Sequence, residues 1–225
     1  MSAQAEVGFF GTTIGKKYLM GLTGLIWAGF VLAHMAGNLL IFVSPAAYNS
    51  YGHALVSGNI IYVAETVLVL ALITHVFCAV TLTRKNRLSS GGSRYAVAAS
   101  GAKAVAPASR MMMVHGTVLL VFIITHLAAF KYGSYYETTV NGVVMRDLHR
   151  LVLELFHQPG YVAWYVVALI FLAFHLSHGV RSIFQSFGLL NVNVENPIKK
   201  AAWGYAILVA AGFLSQPLYV YFIAG

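Results

Sequence analysis

The chain has 225 residues, of which 59% are hydrophobic and 9% charged, and its formal net charge is +8. A soluble domain carries about 25% charged residues, so this composition excludes an ordinary water-soluble enzyme. Five long apolar segments take up more than half of the chain and leave no room for a soluble domain; chemistry in water is therefore expected to belong to partner subunits.

The segments 17–43, 59–83, 111–131, 160–187 and 201–223 each reach the roughly 20 apolar residues that cross a bilayer as a helix. They predict a single all-α membrane domain over residues 1–225 with five transmembrane helices, four of which form an up-down bundle. Residues 1–16 are polar and aromatic and are expected to lie on the inner surface. The first apolar run exceeds the roughly 15 residues of a signal-peptide core, so it is read as a spanning helix. Its Gly21, Gly24, Gly29 and Gly37 allow close approach of a neighbouring helix or of a cofactor. Residues 44–58, with Pro45, Asn49 and Gly52, are expected to form an outer loop.

The second segment holds the single Cys78, read as a packing residue, and Glu65, the one acid inside a predicted span. The stretch 84–110, RKNRLSSGGSRYAVAASGAKAVAPASR, is read as the main inner loop. Its composition suits a docking surface for a soluble partner and an anchor to anionic lipid equally well. After the third segment, Asn141-Gly142 between β-favouring residues predicts a hairpin. From Arg146 to His157, Leu148, Leu151, Val152, Leu155 and Phe156 recur at helical spacing, which predicts an amphipathic helix on the membrane surface. Gln158-Pro159-Gly160 then breaks the chain before the fourth segment. The fifth has neither histidine nor acid and is expected to kink at Pro217.

Eleven of the fourteen basic residues fall at one set of helix ends: Lys16, Lys17, Arg84, Lys85, Arg87, Arg94, Lys103, Arg110, Arg181, Lys199 and Lys200. Only Lys131, Arg146 and Arg150 fall at the other. This positive-inside asymmetry predicts a cytoplasmic N-terminus, an external C-terminus and a multi-pass protein of the cell inner membrane. The net charge thus reports topology rather than affinity for nucleic acid.

Four of the segments carry a histidine in the apolar run: His34, His75, His126 and His175. An intramembrane ionisable residue faces the bundle interior and is a functional candidate. With ~1.5 Å of rise per residue from the nearest inner basic residue, His34 lies ~26 Å and His126 ~24 Å deep. His75 lies ~14 Å and His175 ~9 Å deep, so two levels emerge, separated by roughly 10–15 Å. Such a separation argues against one four-histidine ion site, whose ligands must converge. It suits two sites with two axial imidazoles each, and in an up-down bundle the first and third helices, like the second and fourth, are diagonal partners across the core. A flat macrocycle held this way is haem b, since no Cys-x-x-Cys-His is present for covalent attachment. With both axial positions filled, the iron carries electrons only. His34 and His126 are thus candidates for an outer haem, His75 and His175 for an inner one. His178, three residues beyond His175, is a rival ligand but, being nearer the boundary, is read as a propionate or interfacial contact, and Arg181 is a candidate contact to inner propionates. Arg181 suits membrane anchoring equally, and His115 is open to a propionate or an interfacial role. His53, His149 and His157 are read as solvated loop residues.

At these residues the chain resembles the five-helix, two-haem cytochrome b membrane subunit of the succinate dehydrogenase/fumarate reductase family. The matching elements are Leu32-Ala-His34-Met-Ala-Gly-Asn38, Ile73-Thr-His75, Gly116 with His126, and His175-Leu-Ser-His-Gly179 with Gln185-Ser-Phe-Gly188. The resemblance implies the same assignment of the four ligands. It also implies a flavoprotein with FAD and an iron–sulfur protein on the cytoplasmic face. Because the inner haem lies nearer that face and electron transfer requires short gaps, docking is expected through residues 1–16, 84–110 and 188–200. Electrons would pass between succinate or fumarate and a membrane quinone, menaquinone for the two-haem type. In such proteins an acid near the outer end of the second helix is assigned to the quinone site, which makes Glu65 the candidate proton carrier; a hydrogen-bond anchor for the outer loop is the equal alternative. The family's glutamate two residues before the fourth-segment ligand is Ala173 here, so that relay does not carry over. Two other readings are a two-haem cytochrome b of a hydrogenase or formate dehydrogenase and a proton-coupled transporter. Against the transporter, no inverted repeat or paired mid-helix break is visible.

Overall fold

The computed structural model describes residues 8–89 and 111–224; most of the expected inner loop 84–110 and the first seven residues lie outside these. The described chain forms α1 (Thr13–Asn38), a 3-10 turn (Leu39–Phe42), α2 (Pro45–Val56), α3 (Ile60–Ser89) and α4 (Met112–His126). A π-helical turn (Leu127–Lys131), β1 (Glu137–Val140), β2 (Val143–Arg146), α5 (Leu148–Phe156), α6 (Pro159–Ser186) and α7 (Glu195–Phe222) follow. Among the described residues five helices are long and apolar enough to cross a membrane: Thr13–Phe42, Ile60–Leu88, Met112–Lys131, Pro159–Ser186 and Glu195–Phe222. This is a multi-pass membrane protein. Its last helix starts before the expected residue 201, because a polar first turn outside hydrocarbon needs no apolar residues and tolerates Pro197.

The spans alternate in direction, as side-chain contacts at both ends show. At the inner end Lys85 Nζ donates to Thr13 Oγ1 at 2.5 Å, and a Cβ on Gly21 would lie 3.1 Å from Ser186 Cβ. At the outer end Trp164 Nε1 donates to Thr125 Oγ1 at 3.0 Å, and the Phe42 and Tyr219 rings meet at 5.1 Å. Helix α1 is central. It packs on α3, α6 and α7, while α4 packs on α6 and α7 lies along α6. The α1–α7 contact is close: a Cβ on Gly212 would sit 2.4 Å from Met35 Sδ. Helices α3 and α4 make no more than marginal contact among the described residues. The long connection between them removes the short-loop constraint that makes sequence neighbours pack.

The outer end is more ordered than the sequence suggests. Residues 44–58, expected as a loop, contain a helix. Ser44 Oγ accepts from Ala47 N at 3.0 Å and Pro45 takes the first helical position, a combination that starts helices. The hairpin forms as expected, with Asn141 at φ 52 and Gly142 at φ 79 closing a Val140↔Val143 register. These are the left-handed conformations that a two-residue hairpin turn demands. Helix α5 begins where Asp147 accepts from Arg150 N at 3.0 Å. Its apolar face is not laid on lipid, as the sequence led us to expect. Val152 and Phe156 are buried together with Ile41, Tyr48, Val162, Tyr165 and Val220, so α5 lies across the outer end of the bundle, where protein offers a drier surface than the bilayer boundary.

Buried Asn49 ties this cap together. Its Nδ2 donates to Asp147 Oδ1 at 2.8 Å and its Oδ1 accepts from His149 N at 2.9 Å. His149, expected to be a solvated loop residue, instead packs its ring 6.2 Å from that of Tyr48. Asn49→Ala strands both partners and is expected to cost roughly 1–3 kcal/mol, read as a lower midpoint of thermal unfolding in detergent. Burial pushes the His149 imidazole below its ordinary value of 6.5, against an opposing pull from Asp147. The unfolded chain therefore binds that proton more readily, so the contribution is intact above the ordinary value and fades as pH falls below it. Hydrogen exchange of the α5 amides should accelerate on acidification in the wild type and respond less in His149→Gln.

Candidate functional site

Helix α1 presents Thr23, Trp27, Phe30 and His34 at spacings of four, three and four, which places them on one face. That face meets imidazoles from two other spans, His75 of α3 and His126 of α4. His34 and His126 approach to 5.9 Å between ring centroids, with planes at 86°. His75 and His175 approach to 6.3 Å, at 57°. Of the five spanning helices, α1, α3, α4 and α6 thus contribute one ring each.

Two separate rulers measure the distance between the pairs. Thr23 Oγ1 lies 3.0 Å from His75 Nδ1, and Thr23 is eleven residues before His34, ~16 Å along α1. On α4, a Cβ on Gly116 would lie 3.9 Å from His175 Cε1, and Gly116 is ten residues before His126, ~15 Å. The pairs therefore form two levels. In keeping with this, no group of three or more His, Cys, Asp or Glu side chains converges among the described residues.

The hydrogen bonds set the ring nitrogens. The Thr23 hydroxyl donates to the Leu19 carbonyl at 2.8 Å, so its oxygen is left to accept from His75 Nδ1–H. Nε2 of His75 then carries the free lone pair, the arrangement in which a ligating histidine is usually held. His126 Nδ1 lies 2.8 Å from the hydroxyl of buried Tyr165, and its Nε2 is free in the same way when that oxygen accepts. Beside His34, Phe30 stacks at 5.3 Å and 14°. Asn38 Nδ2 donates to the His34 carbonyl at 2.8 Å, while Asn38 Oδ1 accepts from Tyr48 at 2.7 Å. The π turn that begins directly after His126 brings the Phe130 ring to 5.2 Å from that imidazole; such turns are frequent at functional sites.

A metal with one imidazole on each side needs two bonds of about 2 Å, which with the half-width of each ring matches the observed centroid separations. A flat group around that metal needs bare flanks. Gly24 supplies one, where a Cβ would lie 3.7 Å from His75 Cε1; Gly116 supplies another beside His175, and a Cβ on Gly179, one turn beyond His175, would meet nothing within 4 Å. The nitrogens Trp27 Nε1 and His175 Nδ1 are buried without a partner among the described residues. These residues fit a planar, mostly apolar macrocycle with a few polar edges.

The remaining candidates fall in different places. His115 is only 3% exposed and is clasped by Phe171 at 5.5 Å and Phe174 at 5.9 Å; it is a core residue of the α4–α6 contact, not an interfacial one. Arg181 forms an ion pair with Glu195 at the start of α7, which makes it an interhelical clamp. His178 is half-buried one turn beyond His175. Glu65 pairs with Lys131 and so ties α3 to α4 at the outer end. The partners Thr23, Trp27 and Tyr165 were not singled out from the sequence. The one available signal was the helical spacing of Thr23 and Trp27 from His34.

No family model, curated protein or solved structure matches the chain, so function is argued from the site itself. Thr23→Val should strand His75 Nδ1 and cost about 1 kcal/mol, in the range of membrane-interior hydrogen bonds. Thr23→Ser should restore most of the loss, as measured by thermal unfolding in detergent.

Proposed function

We propose that this chain is the membrane anchor and electron-transfer subunit of a succinate dehydrogenase/fumarate reductase complex, with two haems b. His34 and His126 would hold the outer haem and His75 and His175 the inner one. The observation that carries this reading is the pair of imidazole couples, one ring from each of four spans, at two levels ~15 Å apart. When bound, such haems supply one-electron transfer with no coordination position open to oxygen or substrate. The chain's own residues do the rest. Thr23 holds the His75 ring in the tautomer that frees Nε2, and Tyr165 and the Phe30, Phe122 and Phe130 rings fix and dehydrate the outer pair.

The two ends then face different partners. The flavoprotein and iron–sulfur subunits dock on the inner, cytoplasmic end, where the inner pair shortens the gap that electrons cross. Menaquinone or another quinone reacts from the bilayer at the outer level. Glu65 is the proton carrier proposed there, with its carboxylate paired to Lys131. His178, His115 and Arg181 are the proposed contacts for propionates of the inner haem.

A reduced-minus-oxidised visible spectrum of the purified protein is expected to report two bis-histidine haems b per chain. His34→Ala or His126→Ala should remove mainly one, and His75→Ala or His175→Ala the other. One haem per chain, or an unchanged content after all four substitutions, would overturn the assignment. Glu65→Gln is expected to keep both haems and the succinate–dye activity of the soluble subunits while slowing quinone turnover several-fold. Turnover at the wild-type rate would leave Glu65 as a clamp between α3 and α4 alone.

A further inference from the structure

The inner end of α7 carries a groove that electron transfer does not use. Asn196, Lys199, Lys200, Trp203, Gly204 and Ile207 line about 440 Å³ there. These positions recur every three or four residues and so share one face of the helix. The face is graded by depth. An amide and two ammonium groups stand in the first two turns, the indole of Trp203 follows one turn deeper, and Ile207 is 59% exposed beyond it. Gly204 leaves the wall bare, since a Cβ there would meet nothing within 4 Å. The Trp203 ring is held edge-on by Phe174, with centroids 6.0 Å apart at 87°.

The charge on this face is unbalanced. The ion pairs among the described residues are Lys131–Glu65 and Arg181–Glu195, so Glu195, the acid nearest in sequence, is engaged elsewhere. Lys199 and Lys200 have no acidic partner among the described residues. They stand in the first turns of the spanning helix Glu195–Phe222, ahead of an aromatic ring and an apolar channel further along it.

We propose that this groove holds one anionic phospholipid, its phosphate between Lys199, Lys200 and Asn196 and one acyl chain along Trp203, Gly204 and Ile207. Basic pockets on the cytoplasmic side of membrane helices bind such headgroups. The indole at the boundary matches the amphipathic position that tryptophan takes at membrane interfaces. A water-soluble subunit docking on residues 188–200 would meet the lysines but not Trp203 and Ile207, whose exposed surface faces hydrocarbon. The proposal is independent of the haem reading, because none of its residues touches the four histidines.

The test is native mass spectrometry of the full chain, with any co-purifying subunits, released from nanodiscs of phosphatidylglycerol or of phosphatidylcholine. One phosphatidylglycerol per chain should survive release and phosphatidylcholine should not; added inorganic phosphate should not displace it. Lys199→Gln/Lys200→Gln should lower retention at least tenfold, and Gly204→Leu, which keeps both charges but fills the groove, should lower it as well. The Lys199→Arg/Lys200→Arg pair should retain the lipid, which separates loss of charge from loss of fold. Equal retention of the two lipids would overturn the proposal. So would an equal loss in Lys16→Gln/Lys17→Gln, which would mark a general attraction of the inner surface. Unchanged lipid retention with loss of a soluble subunit would assign the lysines to protein docking instead.

Discussion

An imidazole surrounded by hydrocarbon has to find its hydrogen-bond partners inside the protein, and this requirement organises the bundle. Within a bilayer the backbone is already satisfied by helix formation, and lipid is as apolar as leucine, so no hydrophobic force drives one span onto another. Polar contacts and small residues decide the arrangement instead. Thr23 reaches His75, Tyr165 reaches His126, and Gly212 admits Met35. Helix α1 takes part in most of these contacts, which explains why it packs on α3, α6 and α7 at once.

The two imidazole pairs sit in unlike surroundings. The outer pair lies among Phe30, Phe122, Phe130, Tyr165 and Phe213, beneath a cap built from α2, the hairpin and α5. The inner pair has the Thr23 hydroxyl against His75, with half-buried His178 one turn beyond His175. Under the proposed function this difference gives the two haems different potentials, because dielectric, nearby charge and hydrogen bonding to the ligands all tune an iron centre. The same asymmetry puts the more polar surroundings at the end assigned to the soluble partners.

Two ion pairs join helices at opposite ends of the molecule, Lys131–Glu65 between the π turn after α4 and α3, and Arg181–Glu195 between α6 and α7. Both are partly exposed, and exposed pairs contribute only about 0–1 kcal/mol. Their value is register rather than stability. The first is notable because α3 and α4 otherwise make only marginal contact, so a short-range electrostatic tie substitutes for packing at that level.

The sequence by itself determined whatever depends on counting along the chain. Span length, the Asn141-Gly142 turn, the amphipathic period of α5 and the depth of each histidine all follow from a fixed rise per residue, and the two levels emerged from that arithmetic alone. What depends on the rotation of one helix against another was decided only by the tertiary structure. Depth does not say that Thr23 faces His75, that Tyr165 faces His126, or that His115 turns inward between Phe171 and Phe174. Nor does it say that Glu65 reaches Lys131. The apolar stripe of α5 was legible, but whether protein or lipid covers it was not, because both are apolar surfaces. The helix at Pro45 was missed for a local reason, as Pro45, Asn49 and Gly52 were read as loop residues while Ser44 and Pro45 form a helix start. Rotation and pairing are set by side chains from segments far apart in the chain, and a linear pattern holds no record of which of them meet.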